Sequence, residues 1–444
     1  MFSFALKINR SSPARLIMLG FLAIILLGAF LLMLPCSTAD GRGAPFSDAI
    51  FTATSAACVT GLITQNTATY WSMFGQAIIL LLIQIGGMGV ITVAIALVRL
   101  SGKKIGLAQR NVVQESLSAP QIGGIIQLLG FIVKVTFSAE ALGALLLYPC
   151  FFKQFGPIRS LWLSLFHSVS AFCNAGFDLL GVHAPFSSLT EYAVSLPINL
   201  IIILLILVGG IGFLTWSDIK NEGFRFRKYK LQTKVVLSVS VALILLPSLY
   251  YFFFEFGDFP IKKRLIASVF QAVTPRTAGF NSVDLSAMSD AGKLIMIALM
   301  LVGGSPGSTA GGMKMTTLAV LFVTAKAVLQ RKEEASLFSR RISTEAIYRA
   351  VAVLMMYLFL CIGGGILLSM LDDLPMITAL FETASAVGTV GLTLGITPTL
   401  SMASKIILII LMFTGRIGGL TLVFATTRKS VEYAKYPQEK IMIG

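Results

Sequence analysis

Four short strings in this chain end in the same way. Phe51 to Leu62 reads FTATSAACVTGL, Phe166 to Phe177 reads FHSVSAFCNAGF, Val269 to Phe280 reads VFQAVTPRTAGF, and Phe381 to Leu392 reads FETASAVGTVGL. Aligned on Gly61, Gly176, Gly279 and Gly391, each is a run of small and hydroxyl residues that closes on glycine and then Leu or Phe. In the third copy Phe270 sits one residue nearer its glycine. None of the strings sets an acid, a base and a nucleophile at catalytic spacing. What they offer is backbone: glycine reaches φ > 0 and lets a carbonyl turn inward without a Cβ clash, and rings of carbonyl oxygens replace the hydration shell of a cation. The candidate ring is Val59, Thr60 and Gly61, then Asn174, Ala175 and Gly176, then Thr277, Ala278 and Gly279, and finally Thr389, Val390 and Gly391.

Each string is followed by a second glycine cluster: Gly86-Gly87-Met88-Gly89, Gly209-Gly210-Ile211-Gly212, Gly303-Gly304-Ser305-Pro306-Gly307 and Gly415-Arg416-Ile417-Gly418-Gly419. The first two suit close helix packing of the small-xxx-small kind and a pore role equally well. The third runs on as Gly303, Gly304, Ser305, Pro306, Gly307, Ser308, Thr309, Ala310, Gly311 and Gly312. Glycine costs about 1 kcal/mol and proline about 3 relative to alanine in a helix, so an apolar span is expected to break there. Broken membrane helices mark ion or substrate paths. Arg416 is a charge inside another span, where insertion costs at least ~2.5 kcal/mol; it is expected to face the pore or the broken loop, whose freed carbonyls can accept its donors. The same third cluster satisfies G-x-S-x-G, the hydrolase elbow, but no strand precedes it. The histidines, His167 and His183, lie in the second unit on the outer half, and an intramembrane hydrolase therefore lacks its partner base. Cys36, Cys58, Cys150, Cys173 and Cys361 are odd in number and without metal-ligand spacing, so they read as small packers. Asp48 reads as a helix cap; Asp178 and Glu382 near the outer mouth are candidates for concentrating cations.

The elements that must carry these residues are membrane helices. Of 444 residues, 56% are hydrophobic and only 12% charged, against about 25% charged in a soluble domain. Apolar runs near the ~20 residues that cross a bilayer fall at 15–36, 73–98, 125–152, 195–217, 235–256, 293–324, 346–371 and 403–427. One run precedes and one follows each repeated string. The strings themselves are too short and too hydroxyl-rich to span, which fits re-entrant segments, tolerated at membrane depth only where buried in protein or lining a wet cavity. The expected fold is an all-α polytopic membrane protein. It has four helix, pore loop, helix repeats, with eight transmembrane helices and four re-entrant pore loops set pseudo-four-fold around one axis. The repeats are placed at 15–112, 113–225, 226–340 (with the broken second helix) and 341–428, and a tail at 429–444. The short helices aim their partially negative C-terminal ends at the membrane centre, which favours a cation there. The first apolar run lacks a clear cleavage site at Leu34-Pro35-Cys36-Ser37 and is read as a retained helix.

The net charge of +15 is arranged as a topology signal. Basic residues cluster at Lys7 to Arg15, Arg99 to Arg110, Lys220 to Lys234, Lys326 to Arg349 and Arg428 to Lys440, the ends of the chain and every second loop. The positive-inside rule puts these, with both termini, in the cytoplasm. No nucleic-acid partner is expected, and anionic lipid headgroups are the partners this charge fits. Lys262-Lys263-Arg264, on the opposite face, is an exception that the charge pattern leaves unexplained.

The strings CVTGL, CNAGF, RTAGF and TVGL, with GGSPGSTAGGMKM at Gly303 to Met315 and FTGRIGGLTL at Phe413 to Leu422, resemble the Trk/Ktr/HKT superfamily of potassium transporters over nearly the whole chain. With no helices ahead of the first repeat, the chain is most similar to the Ktr-type membrane subunit rather than the longer Trk subunit. The resemblance implies potassium coordinated at Gly61, Gly176, Gly279 and Gly391, because serine at the first of these marks sodium-preferring relatives. It implies an intramembrane gate at Gly303 to Gly312 with Arg416 as part of the barrier. It also implies a homodimer in a bacterial plasma membrane, docked on a cytoplasmic ring of RCK-type nucleotide-binding proteins, taking up potassium with a sodium dependence or by symport, and neither an enzyme nor the holder of a covalent cofactor. The alternative is an alternating-access carrier for another cation or solute. That would call for inverted halves, whereas these repeats all start and end on one side.

Overall fold

The computed structural model describes residues 13–100, 106–116, 123–182, 184–419, 421 and 439. His183, the Lys7–Arg10 and Lys103–Lys104 parts of the basic clusters, and all of the 429–444 tail but Glu439 lie outside the described residues. Among the described residues the elements are helices apart from one two-residue hairpin, Ser336–Leu337 (β1) paired antiparallel with Arg340–Arg341 (β2).

The first stretch runs Pro13–Leu32 (α1), Phe46–Ala57 (α2), Met73–Met88 (α3), Val90–Leu100 (α4) and Leu107–Ser116 (α5). The second runs Ile125–Phe155 (α6), Pro157–Cys173 (α7), Leu196–Ile211 (α8) and Phe213–Glu222 (α9). Then come Leu231–Tyr250 (α10), Ile261–Val273 (α11), Asp290–Leu301 (α12) and Met315–Leu329 (α13), followed by Thr344–Asp372 (α14), Met376–Gly388 (α15) and Met402–Ile417 (α16). Serine fixes several starts. Ser72, Ser289 and Ser401 cap α3, α12 and α16 by accepting from Gly75 N (3.2 Å), Gly292 N (3.0 Å) and Ser404 N (3.3 Å), satisfying one of the amides a helix start leaves free.

Among the described residues α1, α6, α10 (extended to Glu255) and α14 are long and apolar enough to cross a membrane. The bent pairs α3/α4 and α8/α9 bring the number to six. Eight continuous spans are not reached on length and composition, for identifiable reasons. The chain turns by 94° at Gly89 and by 90° at Gly212, where φ is +85° and +93°, a conformation that favours glycine. α16 stops at the equivalent Gly418, φ +86°, and α12 and α13 are parted by the loop 302–314.

Only 28–33% of each single span is buried. The outward faces carry residues such as Leu27, Phe30, Leu145, Phe254, Phe359 and Met370, each half-exposed or more, while the interior holds many serines and threonines. An apolar perimeter around a hydroxyl-rich centre is what a bilayer selects, and the chain is a multi-pass membrane protein. Where α10 and α11 meet, two of the three exceptional cations are held by rings: Lys263 Nζ lies 4.1 Å from the Phe259 centroid and the Arg264 guanidinium 4.4 Å from that of Phe252. Cation–π contact gives Lys263 and Arg264 a local partner.

Candidate functional site

The short helices α2, α7, α11 and α15 all end at the repeated strings, and the strings fold alike. Two residues before each glycine a non-glycine residue takes a left-handed conformation: Val59 (φ +56°), Asn174 (+59°), Thr277 (+68°) and Thr389 (+51°). The glycines follow at +98° (Gly61), +69° (Gly176), +79° (Gly279) and +91° (Gly391). Such non-glycine outliers cost of order 1 kcal/mol or more each and persist where surrounding structure over-determines them.

Backbone and hydroxyl groups of one residue in each string supply that structure. Thr60 N donates to Ser55 O (2.8 Å), Ala175 N to Ser170 O (2.8 Å) and Val390 N to Ser385 O (2.8 Å); in the third copy Ala278 N donates to Thr274 O (2.9 Å). The side chains of the same four residues close the turn. Gly61 N and Gly391 N donate to Ser55 Oγ and Ser385 Oγ, both at 3.0 Å. Ser170 Oγ donates to Phe177 O at 2.7 Å, and Thr274 Oγ1 donates to Phe280 O. The third copy, one residue shorter, spans four residues where the others span five and still seats its hydroxyl. The sequence pattern assigns Ser55, Ser170, Thr274 and Ser385 no role beyond that of small hydroxyl residues, although a hydroxyl recurs five or six positions before each glycine.

The four glycines meet in cyclic order. A Cβ added to Gly61 would lie 3.1 Å from Gly176 Cα, one on Gly176 would lie 2.8 Å from Gly279 Cα, one on Gly279 would lie 3.4 Å from Gly391 Cα, and one on Gly391 would lie 2.9 Å from Gly61 Cα. The carbonyls of Ala175, Ala278, Val390 and Thr60 are the oxygens met on the way round. All twelve candidate ring residues thus belong to four segments that converge, and all are buried.

The second glycine clusters press on the helices that end at this ring. A Cβ on Gly86, Gly209 or Gly415 would overlap the carbonyl oxygen of Ala57, Phe172 or Val387, the residue four before the ring glycine in each case. Close packing and proximity to the ring therefore coincide for Gly86 to Gly89 and Gly209 to Gly212.

The loop 302–314 departs from this pattern and lies against the same helix ends. Gly303 N donates to Met313 O (2.7 Å) and Met315 N to Gly304 O (3.1 Å), closing the loop on itself. Ser305 N donates to Gly210 O (3.0 Å), Phe213 N to Gly307 O (2.8 Å), and Thr309 Oγ1 to Phe172 O (3.1 Å). A Cβ on Gly311 would overlap Thr389 Oγ1, and one on Gly312 would lie 2.9 Å from Gly388 O. Pro306, Ser308 and Ala310 sit between these anchors, with Lys314 Nζ donating to Ala310 O (2.8 Å) and Gly311 O (3.3 Å). Arg416 reaches across: its guanidinium donates to Thr309 O, to Gly86 O and, at 3.3 Å, to Gly87 O. Gly87, Ser308, Gly312, Lys314 and Arg416 line a cavity of about 130 Å³.

The acids are less open than expected. Asp48 does not cap α2, whose N-cap is Pro45. Its carboxylate accepts instead from Thr64 Oγ1 and Gln65 Nε2, both at 2.9 Å. Glu382 is fully buried and accepts from Thr393 Oγ1 (2.8 Å) and Thr397 Oγ1. Both tie a short helix to the chain leaving the ring. The ring of His167, at the position equivalent to Glu382, does the same, facing Leu163 O through Nδ1 (2.7 Å) and accepting from Leu179 N at Nε2 (3.2 Å). Asp178 is partly exposed, and desolvation pushes its carboxyl up to about 6 against the pull of the Leu180 and Gly181 amides. Among the described residues no group of His, Cys, Asp and Glu is arranged to hold a metal.

Residues 20–436 match the family model described as TrkH, cation transport protein. The chain belongs to the TrkH cation transport family. It is 41% identical to the Ktr system potassium uptake protein B of Bacillus subtilis strain 168 over 446 residues, covering 99% of this chain and 98% of that protein. It is 40% identical to the potassium/sodium uptake protein NtpJ of Enterococcus hirae, covering 98% of each. The fold matches the crystal structure of the potassium transporter TrkH from Vibrio parahaemolyticus with a TM-score of 0.70 at 19% identity, over 92% of this chain and 84% of that one. The Trk/Ktr resemblance of the motif strings is borne out, and TrkH family membership makes the chain an ion transporter rather than an enzyme.

Proposed function

We propose that the chain takes up potassium through a single-chain pore whose filter is the ring of Gly61, Gly176, Gly279 and Gly391 and whose gate is the loop 303–312 with Arg416. The cyclic contact of the four glycines carries this reading. Four buried segments, each with paired positive-φ positions and each fed by the C-terminal end of a short helix, form a site that suits a desolvated cation. Potassium as the cargo is supported by the names of the two relatives, and four glycines rather than a serine fit it. The loop would block by position and charge: it lies against the inner helix ends, and a guanidinium beside it repels a waiting cation. The same reading divides the chain into four helix, pore loop, helix units at 15–112, 113–225, 226–340 and 341–428, with eight passes in all once α12 and α13 count as one broken span and α16 as another. It places basic loops such as 220–234 in the bacterial cytoplasm. There they would meet a nucleotide-binding RCK-type ring, in keeping with a relative that is one component of a Ktr system. It also has the pore paired as a homodimer and the flux dependent on sodium.

Reconstituted into vesicles, the protein is expected to pass potassium in preference to sodium. Gly176→Ser or Gly279→Ser puts a Cβ within contact of the neighbouring ring segment and is expected to cut potassium uptake by about tenfold, equivalent to ~1.4 kcal/mol, with a shift toward sodium. Unchanged preference in both variants rules out the filter assignment, and flux that demands a counter-transported solute favours an alternating-access carrier.

A further inference from the structure

The helix that leaves the gate loop borders a groove with a basic mouth. α10 and α13 do not close on each other at the perimeter, and between them runs a groove of about 640 Å³. Val239, Leu243 and Leu246 line one wall and Ala319, Phe322 and Val323 the other. Leu246 is 66% and Phe322 71% exposed, so the groove opens where the protein meets lipid chains. Its other end is polar: Lys326, Lys332 and Glu334 form the rim. Glu334 is taken up by an ion pair with Arg341, while both lysines are exposed and, among the described residues, in no ion pair. Lys326 lies eleven residues beyond Met315, roughly 16 Å along the helix. That is half of the ~30 Å hydrocarbon core, so a gate loop at mid-depth puts Lys326 at the level of headgroups. Apolar walls of acyl length ending in two unpaired lysines at headgroup depth are complementary to a lipid with a negative headgroup.

The walls of this groove also touch the machinery. Met315, the first residue of α13, accepts from Ser240 Oγ of α10 at its Sδ (3.5 Å), and Arg276, beside the ring residue Thr277, donates to the same Ser240 Oγ (3.2 Å). These contacts join α10 to the first residue after the loop 302–314 and to the residue beside the ring.

We propose that the α10/α13 groove is a binding site for one anionic phospholipid, its chain along the apolar walls and its headgroup on Lys326 and Lys332, and that occupancy sets the position of the gate loop. The regulatory half rests on the gating role proposed above; the binding half does not. The full-length protein in its native assembly is titrated with phosphatidylglycerol or phosphatidylcholine and read by native mass spectrometry. The wild type is expected to retain phosphatidylglycerol over phosphatidylcholine. The double variant Lys326→Gln/Lys332→Gln is expected to bind it about 25-fold more weakly, since each lysine near an anionic headgroup is worth roughly fivefold. Ala242→Trp, which fills the groove from an exposed position, is expected to exclude it, and inorganic phosphate is expected not to displace it. Equal retention in the wild type and both variants overturns the site, as does displacement by inorganic phosphate. A change of oligomeric mass in Ala242→Trp with lipid retention intact overturns it in favour of a subunit interface. Potassium flux is then compared in vesicles of phosphatidylcholine alone and with added phosphatidylglycerol. A difference that disappears in the double variant supports the coupling to the gate. Lipid retention without any flux difference overturns that coupling, and no potassium flux in either lipid overturns the transport reading while the binding result still stands.

Discussion

At the scale of residues, the turns of the ring are tied by hydroxyls as well as by the conformations of the glycines. Ser55 and Ser385 each accept from a buried glycine amide, so Ser55→Ala and Ser385→Ala leave an N–H without an acceptor, a cost of about 1–3 kcal/mol. The expected result is a potassium-over-sodium preference reduced by roughly tenfold with the protein still folded, measured by competitive uptake in vesicles; an unaltered preference would show these turns to be dispensable. The glycines were legible because nothing else recurs so regularly. The hydroxyls were in view but lacked a role, because the third copy is out of phase by one residue, and only folding shows that Thr274 answers to serines five residues from their partners. Acids misled for a different reason: sequence separation hides that Thr64 and Gln65 come back to Asp48, and Thr393 and Thr397 to Glu382. Asp178, two residues past Gly176, is the acid of the three that stays partly exposed. With its carboxyl raised to about 6, it is neutral below that pH and negative above it, so uptake is expected to rise by no more than a few fold as external pH climbs through about 6, the scale of one nearby charge. Asp178→Asn should flatten the profile.

At the scale of elements, the informative feature is which helices break and how. The stretch GGSPGSTAGG announced a break because five glycines and a proline cannot continue a helix at tolerable cost. The turns at Gly89 and Gly212 were not announced, since their glycine clusters suit close helix packing within an uninterrupted apolar span equally well. Those turns turn out to matter for the loop: Gly209 and Gly210 present carbonyls to Thr309 and Ser305, and Gly86 and Gly87 present theirs to Arg416. Arg416 therefore pins the loop of one stretch to the bend of another from a third. Arg416→Gln removes the charge and most of these donors but leaves only carbonyls unpaired, so folding is expected to survive. Potassium flux should increase several-fold, of the order of 1 kcal/mol of barrier. Arg416→Lys, which keeps the charge and loses the fork, should fall between. A flux unchanged in Arg416→Gln and after deletion of residues 306–311 would remove the gating role from both.

At the scale of the whole molecule, the contacts among the four glycines run from first to second, second to third, third to fourth and fourth back to first. In a closed ring the covalent links between units set the order of assembly, but the finished contacts do not depend on all of them. The link between α9 and α10 is the best place to test this. Phe224 is 98% exposed, and surface tips of this kind tolerate a chain break. The local anchors, Tyr229 Oη to Gly223 O and Lys230 N to Asp218 Oδ2 (2.9 Å), each hold one end near the other without needing the peptide bond at Gly223. Residues 1–223 and 224–444 expressed together are expected to restore potassium-dependent growth of a host without its own uptake systems, at a reduced level because the two pieces must first meet. Either piece alone is expected to fail. Each holds two of the four glycines, and only the second holds the loop 302–314 and Arg416. Pairing of 1–223 with itself would place glycines on all sides but leave no segment to occupy the inner face, so an ungated leak from that piece would separate the two roles: selectivity in the ring, closure in the unit that departs from it. Growth from 224–444 alone, with that piece monomeric by size, would instead mean that the first two stretches are not part of the path, and the single-chain pore would have to be abandoned.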